Sequence, residues 1–201
     1  RPLRADLMAD DVAALLGYLG ITRVDLFGFS MGGGVAWQVA IRHPELVRRL
    51  VAGSASPFRT HGHVAATEGL GATFTPEVFA GTPIEIDYKR VAPRPEDFPV
   101  LVDKVRQLTM STEIEDPPAE AIEAIAAPTM IIVGDADIIR PEGAVELFRL
   151  RGGGVPGDYV GLTPARLAIL PGTTHMTGPT RTDWLRSMIE EFLEAPMGED
   201  Y

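Results

Sequence analysis

Apolar positions along the chain switch between two periods. Leu7, Val12, Leu15, Leu16 and Leu19 recur mostly at three- and four-residue spacing and stop at Gly20. That spacing predicts an amphipathic helix over 5–19. A short apolar run, RVDLFG (23–28), then predicts a strand. MGGGVAWQVAIRH (31–43) predicts a helix, ended by Pro44 because the residue before a proline is pushed out of the helical region. RRLVAGS (48–54) predicts a second strand. The order α-β-α-β implies a parallel sheet with right-handed crossovers.

The pattern breaks near residue 57. From there to about 125 no strand pattern appears, and proline and glycine punctuate short helical pieces. TPEVFAG is one, with Thr75 as N-cap and Pro76 at the first helical position. RPEDFPVLVDKVRQL is a second, and DPPAEAIEAIA, capped by Asp116, is a third. Phe58, Phe74, Phe79, Tyr88 and Phe98 make this stretch a helical insertion rather than a linker. The α/β pattern then resumes. APTMIIVGDAD is a strand ending in acids, PEGAVELFRL a helix, RGGGVPGDYVGLTPA a loop, and RLAILPG another strand. The last helix, RTDWLRSMIEEFLEA, is expected to bury Trp184, Leu185, Met188 and Phe192. The expected organisation is a core segment over 1–56, a helical insertion over 57–125, and a second core segment over 126–201.

Charge narrows the partners. The net charge of −10 lacks the basic footprint of a nucleic-acid binder and disfavours anionic lipid. No run reaches the roughly 18 apolar residues that span a membrane, and the first residues lack a signal-peptide core. There is no cysteine, which excludes disulfides and thiolate metal sites. A cytoplasmic protein without nucleic-acid or membrane partners is expected.

One stretch carries chemistry. Gly28-Phe29-Ser30-Met31-Gly32 fits G-x-S-x-G between a strand and a helix. A sharp strand-to-helix turn would strain Ser30 and project its hydroxyl, with small residues two before and two after. The new helix would aim its N–H groups at a developing oxyanion, that of Met31 first. A serine hydroxyl needs a base, and the base needs a carboxylate. Four histidines are available. His43 reads as a helix-end residue. His61 and His63 form H-x-H without a clear third metal ligand, and are expected in solvent or at a pocket mouth. His175 follows a strand at its carboxyl end, the edge where sites form in open α/β sheets. Asp135 and Asp137 both stand at such an end. Asp137, further into the loop, is preferred as the acid, and Asp135 is expected to cap or brace. The RGGG stretch (151–154) lacks the features of a phosphate loop.

The order Ser30, Asp137, His175 is that of α/β-hydrolases, and the sequence resembles that superfamily over essentially its whole length. ADLMADDVAALLGYLGITRVDLFGFSMGGGVAWQVAIRHPELVRRLV, APTMIIVGDADIIRPEGA and LPGTTHMT carry the likeness. The resemblance implies a mainly parallel sheet flanked by helices, with residues 57–125 as a helical cap. It implies Ser30 as nucleophile, Asp137 as acid, His175 as base and Met31 as an oxyanion donor. The expected reaction is hydrolysis of small or medium acyl esters through an acyl-serine, without metal or organic cofactor. Phe29 and Phe58 are candidate walls of an apolar pocket. GFSMGGG also resembles cofactor-free haloperoxidases, so perhydrolysis and C–C bond hydrolysis are alternatives, as is a non-catalytic ligand-binding module. The family's first strands and second oxyanion loop precede the helix that here begins near Ala5. The chain is therefore expected to be the C-terminal part of a longer protein, with an N-terminal fragment as its structural partner.

Overall fold

A computed structural model describes residues 1–63, 71–111 and 115–195. The chain forms two compact units. The larger comprises Ala5–Gly62 and Asp116–Tyr201; the smaller comprises Arg1–Arg4 and His63–Glu115. The sequence boundaries at 57 and 125 thus move inward. The reason is packing: Phe58 lies against the core of the larger unit, and Ile122 and Ile125 are buried within it.

The larger unit is built on four parallel strands in the order β1-β2-β3-β4. These are β1 (Val24–Phe29), β2 (Val47–Gly53), β3 (Thr129–Ala136) and β4 (Ala165–Thr174). Helix α1 (Ala5–Tyr18) precedes β1, and α2 (Met31–Arg42) connects β1 to β2. Ala36, Trp37, Val39 and Ala40 are buried on α2, the stripe that three- and four-residue spacing predicts. Strand β3 shows why a parallel strand reads as continuously apolar. Ile131 and Val133 enter the cluster that holds Trp37 and Leu50. Met130 and Ile132 enter a second cluster with Leu170 and Phe192. Both faces are covered, so alternation vanishes from the sequence.

Between β2 and β3 the smaller unit contributes α3 (Pro83–Val91) and α4 (Phe98–Met110), after which the larger unit adds α5 (Ala119–Glu123). Helix α6 (Pro141–Leu150) and the short α7 (Gly157–Val160) follow β3, and α8 (Thr182–Glu194) follows β4. The smaller unit is held by aromatics: Phe74 and Phe79 rings lie 5.4 Å apart, Phe79 and Phe98 6.4 Å, and Tyr88 and Phe98 5.4 Å.

Several local expectations are corrected. TPEVFAG forms successive three-residue turns, with Val78 N–H on Thr75 O and Phe79 N–H on Pro76 O, rather than a helix. Gly81, at φ 72°, takes the chain out of these turns before the next helix. Pro83–Val91 is a helix the sequence reading did not single out. Asp116 does not cap α5; its carboxylate accepts the Arg59 N–H, and the helix starts only after Pro118. Trp184 is 45% exposed and lies beneath the Arg181 guanidinium. The packed stripe of α8 runs instead through the partly buried Leu185, Met188 and Ile189 to the buried Phe192. Among the described residues no helix is long and apolar enough to cross a membrane.

Candidate active site

The sheet register brings the carboxyl ends of the strands to one edge. Phe29 pairs with Gly53, Gly53 with Ile132, and Ala136 with Thr174. Ser30 lies directly after β1, with φ 54° and ψ −123°. This is left-handed backbone that a serine seldom adopts. Its N–H donates to Gly53 O at 2.9 Å, tying the elbow to the neighbouring strand. Ser30 stands where an N-cap serine would, yet its hydroxyl makes no capping bond to α2. The hydroxyl turns to His175 Nε2, 2.8 Å away.

The elbow's glycines have different duties. A methyl on Gly28 would lie 2.3 Å from Gly32 O and 2.8 Å from Gly33 Cα. A methyl on Gly33 would lie 2.4 Å from the Ala55 side chain. A methyl on Gly32 would meet nothing within 4 Å. The requirement for a missing side chain therefore falls on Gly28 and Gly33, and the sequence expectation for Gly32 is corrected. Because the atoms facing Gly28 are backbone, the Gly28→Ala variant is expected to lose about 1–3 kcal/mol of stability to overpacking. Urea unfolding measures this; a midpoint unchanged from wild type would contradict the contact.

His175 bridges the other two groups. Its Nδ1 lies 2.8 Å from Asp137 Oδ1. A carboxylate only accepts, so Nδ1 carries the proton and Nε2 is free to accept from Ser30. Asp137 is fully buried at its side chain and His175 is partly buried. Burial pushes the Asp137 carboxyl up. The bonds from His175 and Ser54 outweigh that and hold the group below its ordinary value. The second carboxylate oxygen, Oδ2, accepts the Ser54 hydroxyl at 2.5 Å. Asp135 is differently employed. It accepts the N–H groups of Gly172 and Thr173 at 2.9 and 3.0 Å, and these bonds lower its pKa. It braces the loop that presents His175. Arg181 adds to the brace by donating to Gly172 O at 2.9 Å. Thr174 and Thr177 close the turn through reciprocal backbone-to-hydroxyl bonds.

The flanking residues divide. Phe29 sits beside the hydrogen-bonded Ser30–His175–Asp137 group, its ring centroid 5.1 Å from that of His175. With Ser54, Leu170 and Gly178 it also lines a cavity of about 20 Å³, room for roughly one water molecule. Met31 opens α2, so its N–H has no acceptor within the helix and lies at the positive end of the helix dipole. Phe58 is not brought to this group. Its ring packs edge-on against His61 at 4.9 Å and against the core. His61 corrects the sequence expectation of a solvated residue. It is buried, with Ser56 Oγ 2.8 Å from Nδ1 and Glu146 3.3 Å from Nε2. Burial lowers its pKa below the ordinary 6.5. His43 bonds Asp10 across α1 and α2 at 2.9 Å. No group of acids and histidines suited to a metal occurs among the described residues.

With this geometry established, comparison with known proteins is direct. The model of the α/β hydrolase fold family matches residues 2–109. The chain belongs to that family. It is 28% identical over 192 residues to the pimeloyl-[acyl-carrier protein] methyl ester esterase of Yersinia enterocolitica, covering 83% of this chain and 68% of the relative. It is 44% identical over 73 residues to a 2-hydroxymuconate semialdehyde hydrolase of Pseudomonas sp. (strain CF600). That match spans 34% of this chain and only 23% of the relative. Among solved structures, the α/β hydrolase MGS-M2 from a deep-sea metagenome superposes with TM-score 0.67 at 19% identity. It covers all of this chain and 75% of its own. A meta-cleavage product hydrolase of Pseudomonas fluorescens IP01 gives TM-score 0.61 at 22% identity, covering 96% and 72%.

Proposed function

We propose that this chain carries the catalytic triad of a serine hydrolase acting on small or medium carboxylic esters. One observation carries the reading: the continuous Asp137–His175–Ser30 chain, with both bonds at 2.8 Å and its serine held at positive φ. Ser30 Oγ attacks the ester carbonyl carbon as its proton passes to His175 Nε2. Asp137 holds the imidazole in the accepting tautomer and stabilises the cation that forms. The Met31 N–H faces the developing oxyanion. Collapse of the intermediate expels the alkoxide, which takes the proton from His175 and leaves an acyl group on Ser30. Water then attacks this ester, with His175 as base, and restores the serine. Nucleophile, base and acid are all side chains of this protein, so the scheme calls on no metal or organic cofactor.

The ester reading is supported by the long match to a methyl ester esterase. The shorter, higher-identity match to a 2-hydroxymuconate semialdehyde hydrolase favours a second reading, cleavage of a C–C bond beside a carbonyl by the same triad. Phe29 borders the reacting centre and is offered as an apolar wall of the substrate site.

A fluorophosphonate probe tests the proposal. It is expected to phosphonylate Ser30, located by mass on the peptide that contains it. Rapid quench with a p-nitrophenyl ester is expected to trap an acyl group on the same residue. Absence of both adducts from Ser30 would end the hydrolase reading. A trapped adduct with meta-cleavage compounds turned over faster than esters would favour the second.

A further inference from the structure

We infer that Ser54 is a positioning residue for the acid of the triad, and that the end of β2 holds nucleophile and acid in register. The inference rests on the hydrolase reading of Ser30, His175 and Asp137.

Ser54 follows β2 and is 5% exposed. Its hydroxyl donates to Asp137 Oδ2 at 2.5 Å. His175 occupies the other oxygen, Oδ1, at 2.8 Å. The carboxylate is thus gripped from both sides by short bonds. The backbone donors that also reach it are longer, Gly134 N–H at 3.4 Å and Ile139 N–H at 3.3 Å. Without Ser54, Oδ2 would keep only the long contact from Gly134. The carboxylate could then turn about its own bond and release the imidazole from the orientation that serves Ser30.

The backbone points the same way. Ser54 has φ 48°. Apart from Ser30, it is the residue other than glycine that adopts positive φ among the described residues. Glycine fits such a position without steric cost. A serine placed there, buried, and bonded by its hydroxyl to the acid is accounted for by that hydroxyl. Its backbone is anchored as well, Ser54 N–H donating to Ile132 O on β3 at 2.7 Å.

The residue before Ser54 binds the nucleophile's backbone. Gly53 O accepts the Ser30 N–H at 2.9 Å. Consecutive residues at one strand end therefore hold the nucleophile's backbone and the acid's carboxylate. The Ser54 bond is also one reason the Asp137 carboxyl stays below its ordinary value despite burial. His175 is the titratable side chain that bonds this carboxylate.

The test compares wild type, Ser54→Gly and Ser54→Ala. Three quantities are read: unfolding temperature, the second-order rate of fluorophosphonate labelling at Ser30 across pH, and kcat and KM for p-nitrophenyl butyrate. Ser54→Gly relieves the backbone and removes the hydroxymethyl group, whereas Ser54→Ala removes the hydroxyl alone. Ser54→Gly is expected to unfold no earlier than wild type, yet to label and turn over roughly ten- to hundredfold more slowly. The loss falls in kcat, with KM unmoved. The acid limb of the labelling profile moves to higher pH, because the Asp137 carboxylate, stripped of a donor, takes a proton more readily. Ser54→Ala shows the same kinetic loss without the relief. A Ser54→Gly protein that labels within about twofold of wild type, with its acid limb in place, overturns the inference. So does one that unfolds much earlier, since Ser54 would then act through stability. If wild-type Ser30 does not label at all, the hydrolase reading fails and this inference falls with it. A labelled wild type beside an indifferent Ser54→Gly removes this inference alone.

Discussion

Replacing Asp137 by asparagine is expected to lower kcat by about 10⁴-fold while the fold persists. The amide can present its NH2 to His175 Nδ1, which then becomes the accepting nitrogen. The ring proton moves to Nε2, 2.8 Å from Ser30 Oγ, where it blocks the base. The matching Asp135→Asn variant is expected to change kcat by no more than about tenfold. Its carboxylate serves the Gly172 and Thr173 N–H groups, not the imidazole. Kinetics of the two variants side by side check the assignment; equal losses would contradict it. Both carboxyls lie below their ordinary value, so both contribute to stability in acid. Asp137 lies below its ordinary 3.8 in the folded protein. Just beneath that value the unfolded chain binds the proton more readily than the folded one. The stability Asp137 contributes is therefore complete above 3.8 and is lost as pH falls through the folded value. Asp137→Asn should flatten that side of the stability profile, as urea titrations at stepped pH would show.

These two aspartates also show what the sequence could carry. Both follow the same apolar strand, and spacing places both at the edge where sites form. The difference arises one residue on. Asp135 is still within β3, which ends at Ala136, and meets the backbone of β4. Asp137 has left the strand and is free to turn towards the end of β2, where Ser54 meets it. Ser30 and His175 were easier to find. A serine between a strand and a glycine-rich helix start has a steric signature, and His175 alone among the histidines stands at a strand end. Even there, the collision that forbids a side chain involves Gly28 and Gly33, because which backbone atoms approach is a property of the folded turn.

Ser54 left no such trace. In GSAS two serines follow a strand, and nothing local separates a buried one at positive φ from its neighbour. Only the register of Gly53 with Ile132 puts it beside the acid loop. His61 did leave a signal. Gly143 sits inside α6, where glycine weakens a helix, and such a residue usually answers to packing. A methyl there would lie 2.5 Å from the His61 ring. The insertion's aromatics were legible as a packed group, but Phe58 belongs to the other side of the boundary, which composition does not mark. The four strands were legible within a residue or two of their observed ends, β3 most plainly, since it is buried along most of its length and a parallel strand covered on both faces leaves a nearly unbroken apolar run.

The largest loss of stability is expected from a residue remote from the chemistry. Arg151 follows α6 and is buried. Its guanidinium donates to four carbonyls: Ile122 at 2.7 Å, Glu123 at 2.9 Å, Ala127 at 3.1 Å, and Ile125. A fifth bond reaches Thr129 Oγ1 at 3.3 Å. Among the described residues it forms no ion pair with a carboxylate. Burial accordingly lowers its pKa, but a guanidinium stays charged. The cation is neutralised by carbonyl dipoles; in return it satisfies the Glu123 and Ile125 oxygens and adds a second bond to the Ile122 and Ala127 oxygens, which also accept the Ile125 N–H and the Thr129 hydroxyl. Arg151→Met fits the stem but strips the Glu123 and Ile125 oxygens of this donor, each at a cost of about 1–3 kcal/mol, and weakens the bonding of the Ile122 and Ala127 oxygens. Relaxation and water entry recover part of this, so a net loss of about 3–5 kcal/mol is expected. Arg151→Lys should recover only a fraction, because three donors on one atom cannot span a fork of carbonyls. Urea unfolding at neutral pH measures both. Since Asp137 leaves β3 at its far end, the folded fraction of Arg151→Met should still label Ser30 at the wild-type rate. A midpoint shift worth less than about 1 kcal/mol would mean that water replaces the guanidinium on these oxygens without loss.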